Sequence, residues 1–338
     1  MSPPLADQMP LNRQQVLELL GGSDDDWLFS RARLATELAF GDQVFMRGIV
    51  EFSNHCRNDC HYCGLRRGNR EVVRYRLSHN QILEAAEQVA SFGMGTLVLQ
   101  SGDDSKFHCD DITQLIAQIK AKHKLAITLS LGDRSLEELR AWREAGADRY
   151  LLKMETFNRR LFAESRPKAN FDERLDRLKG IQALGYQTGC GIITDLPGMT
   201  DETLAQDIIE LTRLKLDMIA CGPFVAHPQT PMALSGNGCV LKSHRVSAIL
   251  RLMNPGANIP ATSSLEVLEP GGRALALLRG CNVVMPSFTP QHVFSKYDIY
   301  PGKNAAKAFL RERLEVVRNQ IRQHGLEPSS ARGDSRSH

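Results

Sequence analysis

The sequence predicts an α/β protein built as a closed (β/α)8 TIM barrel, and three observations carry that reading. Short β-branched runs alternate with longer segments of helical period from about residue 44 to 302. The alternation repeats eight times, the count that closes a parallel barrel. No G-x-G-x-x-G or Walker A pattern follows any run, although an open doubly wound sheet would want such a turn. In chain order the strands fall at residues 44–52, 96–100, 126–131, 149–153, 187–194, 218–225, 258–262 and 282–286. Between them, positions such as Ile82, Ala85, Ala86 and Val89 recur at helical spacing, and Gly93, Gly146 and Gly185 stand where helices should end. Residues 1–43 read as an N-terminal helical extension, 44–302 as the barrel, 303–326 as a C-terminal helix and 327–338 as a polar, disordered tail. The Arg332-Gly333-Asp334 triplet in that tail carries no meaning in this reading.

Composition narrows the function. The 338 residues carry 42 Lys plus Arg against 39 Asp plus Glu, with 42% hydrophobic residues. Those are the proportions of a globule with a full core, and they exclude a disordered chain or a small disulfide scaffold. A net charge of +3 gives no electrostatic footprint for nucleic acid or a membrane surface. No apolar run approaches the roughly 20 residues that span a bilayer. Residues 1–7 lack the features of a signal peptide, so the expected location is the cytoplasm. There, the eight cysteines are thiols, metal ligands or core residues before they are disulfides.

Just after the first strand, Cys56, Cys60 and Cys63 stand in a C-x3-C-x2-C spacing. Thiolates are soft donors suited to iron–sulfur clusters and zinc. A structural zinc site wants four ligands. No fourth cysteine is near, although His55 and His61 flank the triplet. Three thiolates on a four-iron cube leave one iron open to a small molecule. Cys109, Cys190, Cys221, Cys239 and Cys281 show no metal spacing, and the three in or beside predicted strands read as core thiols.

With Tyr62 before the third cysteine, the triplet resembles that of radical S-adenosylmethionine (SAM) enzymes. The resemblance implies one 4Fe–4S cluster on Cys56, Cys60 and Cys63. Its open iron would hold the amino and carboxylate groups of SAM, and an electron from the cluster would split SAM into methionine and a 5′-deoxyadenosyl radical. Blocks along the whole barrel are similar to the HydE-type FeFe-hydrogenase maturases. They include Ile49-Val50-Glu51-Phe52-Ser53-Asn54, Val98-Leu99-Gln100-Ser101-Gly102-Asp103, Ile259-Pro260-Ala261-Thr262 and Tyr300-Pro301-Gly302-Lys303. That resemblance implies a small iron complex bearing a cysteine ligand as substrate, and other hydrogenase maturation proteins as partners. Biotin synthase and methylornithine synthase are relatives with the same barrel. The second and third strands lack the cysteines of biotin synthase's auxiliary cluster, and no cysteine follows Cys281 for a C-terminal accessory cluster. Two other readings stay open: a HydE-like enzyme acting on another small molecule, and a non-radical metal-binding barrel.

The resemblance also assigns roles. Gln100, Ser101, Gly102 and Asp103 would meet the methionine end of SAM, where a glycine allows close backbone approach; alone, this segment is a common turn. Ser130, Glu155 and Arg174 would hold SAM's polar groups, with Tyr62 beside the cluster and Ile193 against adenine. Arginine suits the SAM carboxylate because its planar fork makes two hydrogen bonds. A substrate chamber would be lined by Arg47, Thr262, Ser263, Ser264, Met285, Tyr297 and Tyr300. Arg47 inside a barrel must bind an anion or pair with an acid such as Glu51. HydE-type sequences usually carry Arg-His-Glu-Thr where this chain has Lys153-Met154-Glu155-Thr156. Met154 is therefore expected to face the chamber and tune a metal-bearing substrate, unless it is a plain packing methionine.

Overall fold

The computed structural model describes residues 11–305 and 308–337; the first ten residues of the predicted extension, residues 306–307 and His338 lie outside the described residues. Seven parallel strands run β1 (Gln43–Ser53), β2 (Thr96–Ser101), β3 (Ala126–Ser130), β4 (Arg149–Leu151), β5 (Gln187–Thr194), β6 (Met218–Pro223) and β7 (Val283–Val284). Their spatial order is β6-β5-β4-β3-β2-β1-β7. The extended segment 258–261 closes the gap. The N–H of Ile219 donates to Asn258 O (2.9 Å) and that of Asn258 to Asp217 O (2.8 Å) on one side. On the other, Ala261 N–H donates to Val283 O (2.9 Å) and Asn282 N–H to Ile259 O (2.9 Å). The eighth predicted strand is this segment, and the ring is complete.

Local chemistry accounts for the helices between strands. Ser78 and Ser135 form capping boxes with Gln81 and Glu138 ahead of helices His79–Ser91 and Leu136–Glu144. Asn170 caps Phe171–Ala183 by accepting from the N–H groups of Asp172 and Glu173. Gly93, Gly146 and Gly185 end helices at positive φ, where glycine carries no Cβ penalty. Helix Asp25–Phe40 packs on Val240–Met253, tied by the Arg245–Asp25 fork at 2.7 and 2.9 Å.

Strand alternation sorts the residues. On β1, Val44, Met46, Val50 and Phe52 join the main core beneath the helices, while Arg47 and Glu51 turn into the barrel. The core therefore lies between ring and helices, and the interior is free to be polar.

The tail corrects the sequence reading. Glu327–Ser329 forms β8, parallel to β1, and residues 330–337 then cross beneath the barrel on ordered contacts. Its polar composition reflects what it binds, namely buried polar groups on the strand ends, rather than disorder. The preceding helix is Leu310–Gln323, shorter than the 303–326 expected.

Candidate active site

The thiol loop leaves β1 at the barrel's C-terminal rim and is clamped from three sides. Asn54 spans its base, donating to Val73 O (2.9 Å) and Lys296 O (2.7 Å) and accepting from Tyr75 N–H (2.7 Å). The segment after β2 forms its cradle. Gly102 N–H donates to Ser53 O (3.0 Å) and Arg57 N–H to Asp103 O (2.9 Å). Asp104 accepts from Ser53 Oγ (2.6 Å) and from both arms of Arg76. A Cβ on Gly102 would sit 2.2 Å from His55 O and 2.9 Å from Cys56 Cβ, so only glycine fits there. On the far side His61 N–H reaches Ser165 O (2.8 Å) and Gly64 N–H reaches Ile299 O (3.0 Å).

All eight cysteines are free thiols. Burial pushes the Cys56 and Cys63 thiols up, with Cys60 adding to the effect on both and Cys56 to that on Cys63. Against that, the backbone N–H groups of Asp103 and Asn58 aim at Cys56, and that of Leu65 at Cys63. Three neighbouring sulfurs, Cys60 buried and Cys56 and Cys63 half-buried and hydrogen-bonded from the backbone, suit a soft cationic group that draws off their protons. This donor set fits an iron–sulfur cluster. Among the described residues no group of three His, Cys, Asp or Glu side chains is arranged to hold one metal ion.

Beyond the loop, Glu155 holds an uncommon backbone, φ +69°, fixed by Glu155 N–H to Gly191 O (3.0 Å) and Ile193 N–H to Glu155 O (2.9 Å). Its carboxylate accepts from Tyr62 OH (3.2 Å) and pairs with Lys153 Nζ at 2.8 Å. Burial raises its pKa, but Lys153, Arg166 and Arg174 together bring it below the usual carboxylate value. Arg166 donates to Tyr62 OH (3.1 Å), linking the thiol loop to Glu155. Arg174 is buried rather than on a solvated helix face; it donates to Lys153 O (2.9 Å) and to Asp133 (2.5 Å). Asp133 also meets Arg177 (3.1 Å) and Arg166 (3.6 Å). The Asp103 carboxylate is paired with Arg57 (3.0 Å) and accepts from Asn58 Nδ2 (3.1 Å).

The barrel interior is hollow near this rim. Gln100, Ser130, Leu151, Lys153, Ile193 and Met285 stay partly exposed although both chain neighbours of each are buried. Ser263 Oγ lies 2.5 Å from Tyr300 OH, and Thr262 Oγ1 3.0 Å from Ser264 Oγ. Gly222 makes room for that pair: a Cβ there would come within 2.5 Å of Thr262 Oγ1. Above them Lys303 covers the ring of buried Tyr297 (5.4 Å) and pairs with Glu51 at 2.5 Å. Glu51 also accepts from Ser287 (2.6 Å) and Thr289.

Two expected chamber residues lie elsewhere. Arg47 sits four residues before Glu51 on β1, about 13 Å lower in the barrel. It donates to Gly333 O (2.9 Å) and Met218 Sδ (3.2 Å) at the floor, and Glu51 is not its partner. Met154 is fully buried in the outer core, because alternation along the strand gives the inward face to Lys153 and Glu155. It is the plain packing methionine. The same two-residue period could have identified Lys153, which the sequence reading missed. Asp133 and Arg166 were missed as well, and only the loop geometry brings them to Glu155 and Arg174.

A closed parallel barrel with a three-thiol loop after its first strand is the architecture of radical SAM enzymes, and the Radical SAM superfamily model matches residues 50–211. The [FeFe] hydrogenase maturase subunit HydE of Thermotoga maritima is 41% identical over 300 residues, covering 88% of this chain and 86% of the relative. The 3-methylornithine synthase of Methanosarcina barkeri is 28% identical over 265 residues, 78% of this chain and 75% of the relative. Among solved structures, methylornithine synthase (PylB) superposes with a TM-score of 0.81 at 25% identity, covering 94% of both chains. The chain belongs to the radical SAM superfamily and, within it, to the HydE maturase family.

Proposed function

We propose that this radical SAM enzyme holds one 4Fe–4S cluster on Cys56, Cys60 and Cys63, with SAM on the open iron. When bound, cluster and SAM supply the reductive cleavage of SAM. The protein's own residues then position and enclose. The backbone of Gln100, Ser101, Gly102 and Asp103 supports the methionine end. Glu155 stays ionised to accept SAM's hydroxyl or ammonium hydrogens, and Tyr62 fixes its carboxylate. Arg174 offers its fork to the SAM carboxylate, while Ser130 and Ile193 flank the nucleoside.

The substrate in this reading is a small iron complex with a cysteine ligand, a precursor of the hydrogenase di-iron centre, and other hydrogenase maturation proteins are its partners. Thr262, Ser263, Ser264, Met285, Tyr297 and Tyr300 line its chamber, joined by Lys153. The location proposed is cytoplasmic; no described helix is long and apolar enough to cross a membrane. One observation carries the proposal: the thiol loop sits over a hollow, polar barrel interior, with a buried, ionised Glu155 beside it. The test is anaerobic reconstitution with iron and sulfide, then dithionite and SAM. The wild type is expected to form 5′-deoxyadenosine and the Cys56→Ala, Cys60→Ala, Cys63→Ala triple variant none. A triple variant that still forms it defeats the assignment. Radical chemistry without complementation of a strain lacking its HydE-type maturase would favour a relative acting on another small molecule.

A further inference from the structure

The barrel floor contains two guanidinium groups sealed from solvent, Arg47 at 3% exposure and Arg149 at 0%, turned inward from β1 and β4. Two such cations need acceptors, and the crossing tail supplies them. Arg149 donates to Arg332 O (2.9 Å) and forms an ion pair with Asp334. Arg47 donates to Gly333 O (2.9 Å). Neutral groups complete the seat. Thr96 Oγ1 donates to Arg332 O (2.9 Å), Asn258 Nδ2 to Gly333 O (3.0 Å) and Gln187 Nε2 to Asp334 (2.9 Å). Arg332 itself pairs with Asp148 (2.9 Å) and Asp334 (3.1 Å) at the edge.

The fit is shaped as well as charged. Gly333 has φ +62° and lies so close to Phe45 that a Cβ would come within 2.6 Å of its ring. Two floor glycines lie bare beneath the tail: a Cβ on Gly95 would meet Ser330 O at 2.3 Å, and one on Gly256 would meet Arg336 O at 2.3 Å. Yet residues 330–337 insert no large apolar side chain, and all but Gly333 and Ser335 are exposed. The attachment is chiefly polar: two ion pairs tie it to the barrel, Asp334 to Arg149 and Arg332 to Asp148, and Asp334 is its one carboxylate.

We propose that residues 330–337 are a detachable plug, latched by Asp334 in a carboxylate seat formed by Arg149 and Gln187, with Arg47 holding the adjoining Gly333 carbonyl, that seals the reaction chamber from below. The latch stands independently of the proposed function; the sealing role rests on that reading, since radical chemistry needs a closed chamber. In this arrangement the Arg332–Gly333 peptide bond is shielded in the floor and becomes a substrate for trypsin when the plug lets go.

The latch is tested on the full chain by the rate at which trypsin removes residues 333–338, read from the intact mass. Asp334→Ala is expected to speed cleavage at least tenfold. Formate at tens of millimolar should slow that variant severalfold by filling the empty seat, and should leave the wild type unchanged. Gly333→Ala should also be cut faster, without rescue by formate. Equal cleavage of Asp334→Ala and wild type overturns the latch, as does an absence of formate rescue. These readings need neither cluster nor SAM. In reconstituted protein, Asp334→Ala should raise substrate-free formation of 5′-deoxyadenosine at least threefold, and formate should lower it again. An unchanged rate alongside faster tail cleavage would retain the latch and overturn the seal, whereas no 5′-deoxyadenosine from the wild type would count against the proposed function alone.

Discussion

Replacing Asp133 by Asn keeps the shape of a side chain but removes the charge that three arginines share. Arg174 lies 2.5 Å away, Arg177 3.1 Å and Arg166 3.6 Å, and both Arg166 and Arg174 are buried. Breaking a buried ion pair typically costs about 3–5 kcal/mol, because the remaining charge stays desolvated. Arg166 would keep Tyr62 OH and Arg174 would keep Lys153 O, which places the cost at the lower end, about 3 kcal/mol. Unfolding entropy for a chain of this length is about 0.7 kcal/mol/K, so Tm should fall by about 4 °C. Burial pushes the Asp133 carboxyl up, but Arg174, Arg166 and Arg177 hold it below its usual value of 3.8. Its contribution is therefore complete above about pH 4 and disappears as the pH falls through the lower folded value. The gap between wild type and Asp133→Asn should close below pH 4. If Arg174 holds the SAM carboxylate, its loosened fork should weaken SAM binding by about 1.5–3 kcal/mol, the range for a charge-assisted hydrogen bond. Thermal unfolding across pH, with calorimetry of SAM on reconstituted protein, measures both. A Tm within 1 °C of wild type at pH 7, together with unchanged SAM affinity, would refute the reasoning.

Gly102→Ala forces a methyl into the backbone of His55 and the Cβ of Cys56, and neither can swing aside as a flexible side-chain end would. The variant should keep its far-ultraviolet dichroism and retain less than half the wild-type iron after reconstitution; full iron content would show the cradle is unnecessary. Asp207 is buried and pushed up to about 7 by desolvation, with Phe157 N–H donating to it at 2.7 Å. A raised carboxyl gives stability that is complete below about pH 4 and lost as the pH rises through 7. Asp207→Asn should therefore gain on the wild type between pH 5 and pH 8, by at most a few kcal/mol, and parallel pH–stability curves would contradict this.

Much of the molecule is legible in the chain because it depends on neighbours two to four residues apart. Alternation with period two marks the strands, capping serines and asparagines start the helices, and the cysteine spacing compresses the candidate ligand set into eight residues. The same short-range rule, applied strictly, separates Lys153 from Met154. Other features depend on contacts across the whole barrel. Arg47 meets Gly333 across 286 positions, and Arg149 meets Asp334 across 185. Asp133 collects arginines from two later segments, and Glu51 finds Lys303 only once the ring has closed. A polar tail and a buried cation each look anomalous when read alone, one as disorder and the other as a ligand site. Burial makes them partners, because a guanidinium removed from water must find its acceptors wherever the folded chain carries them.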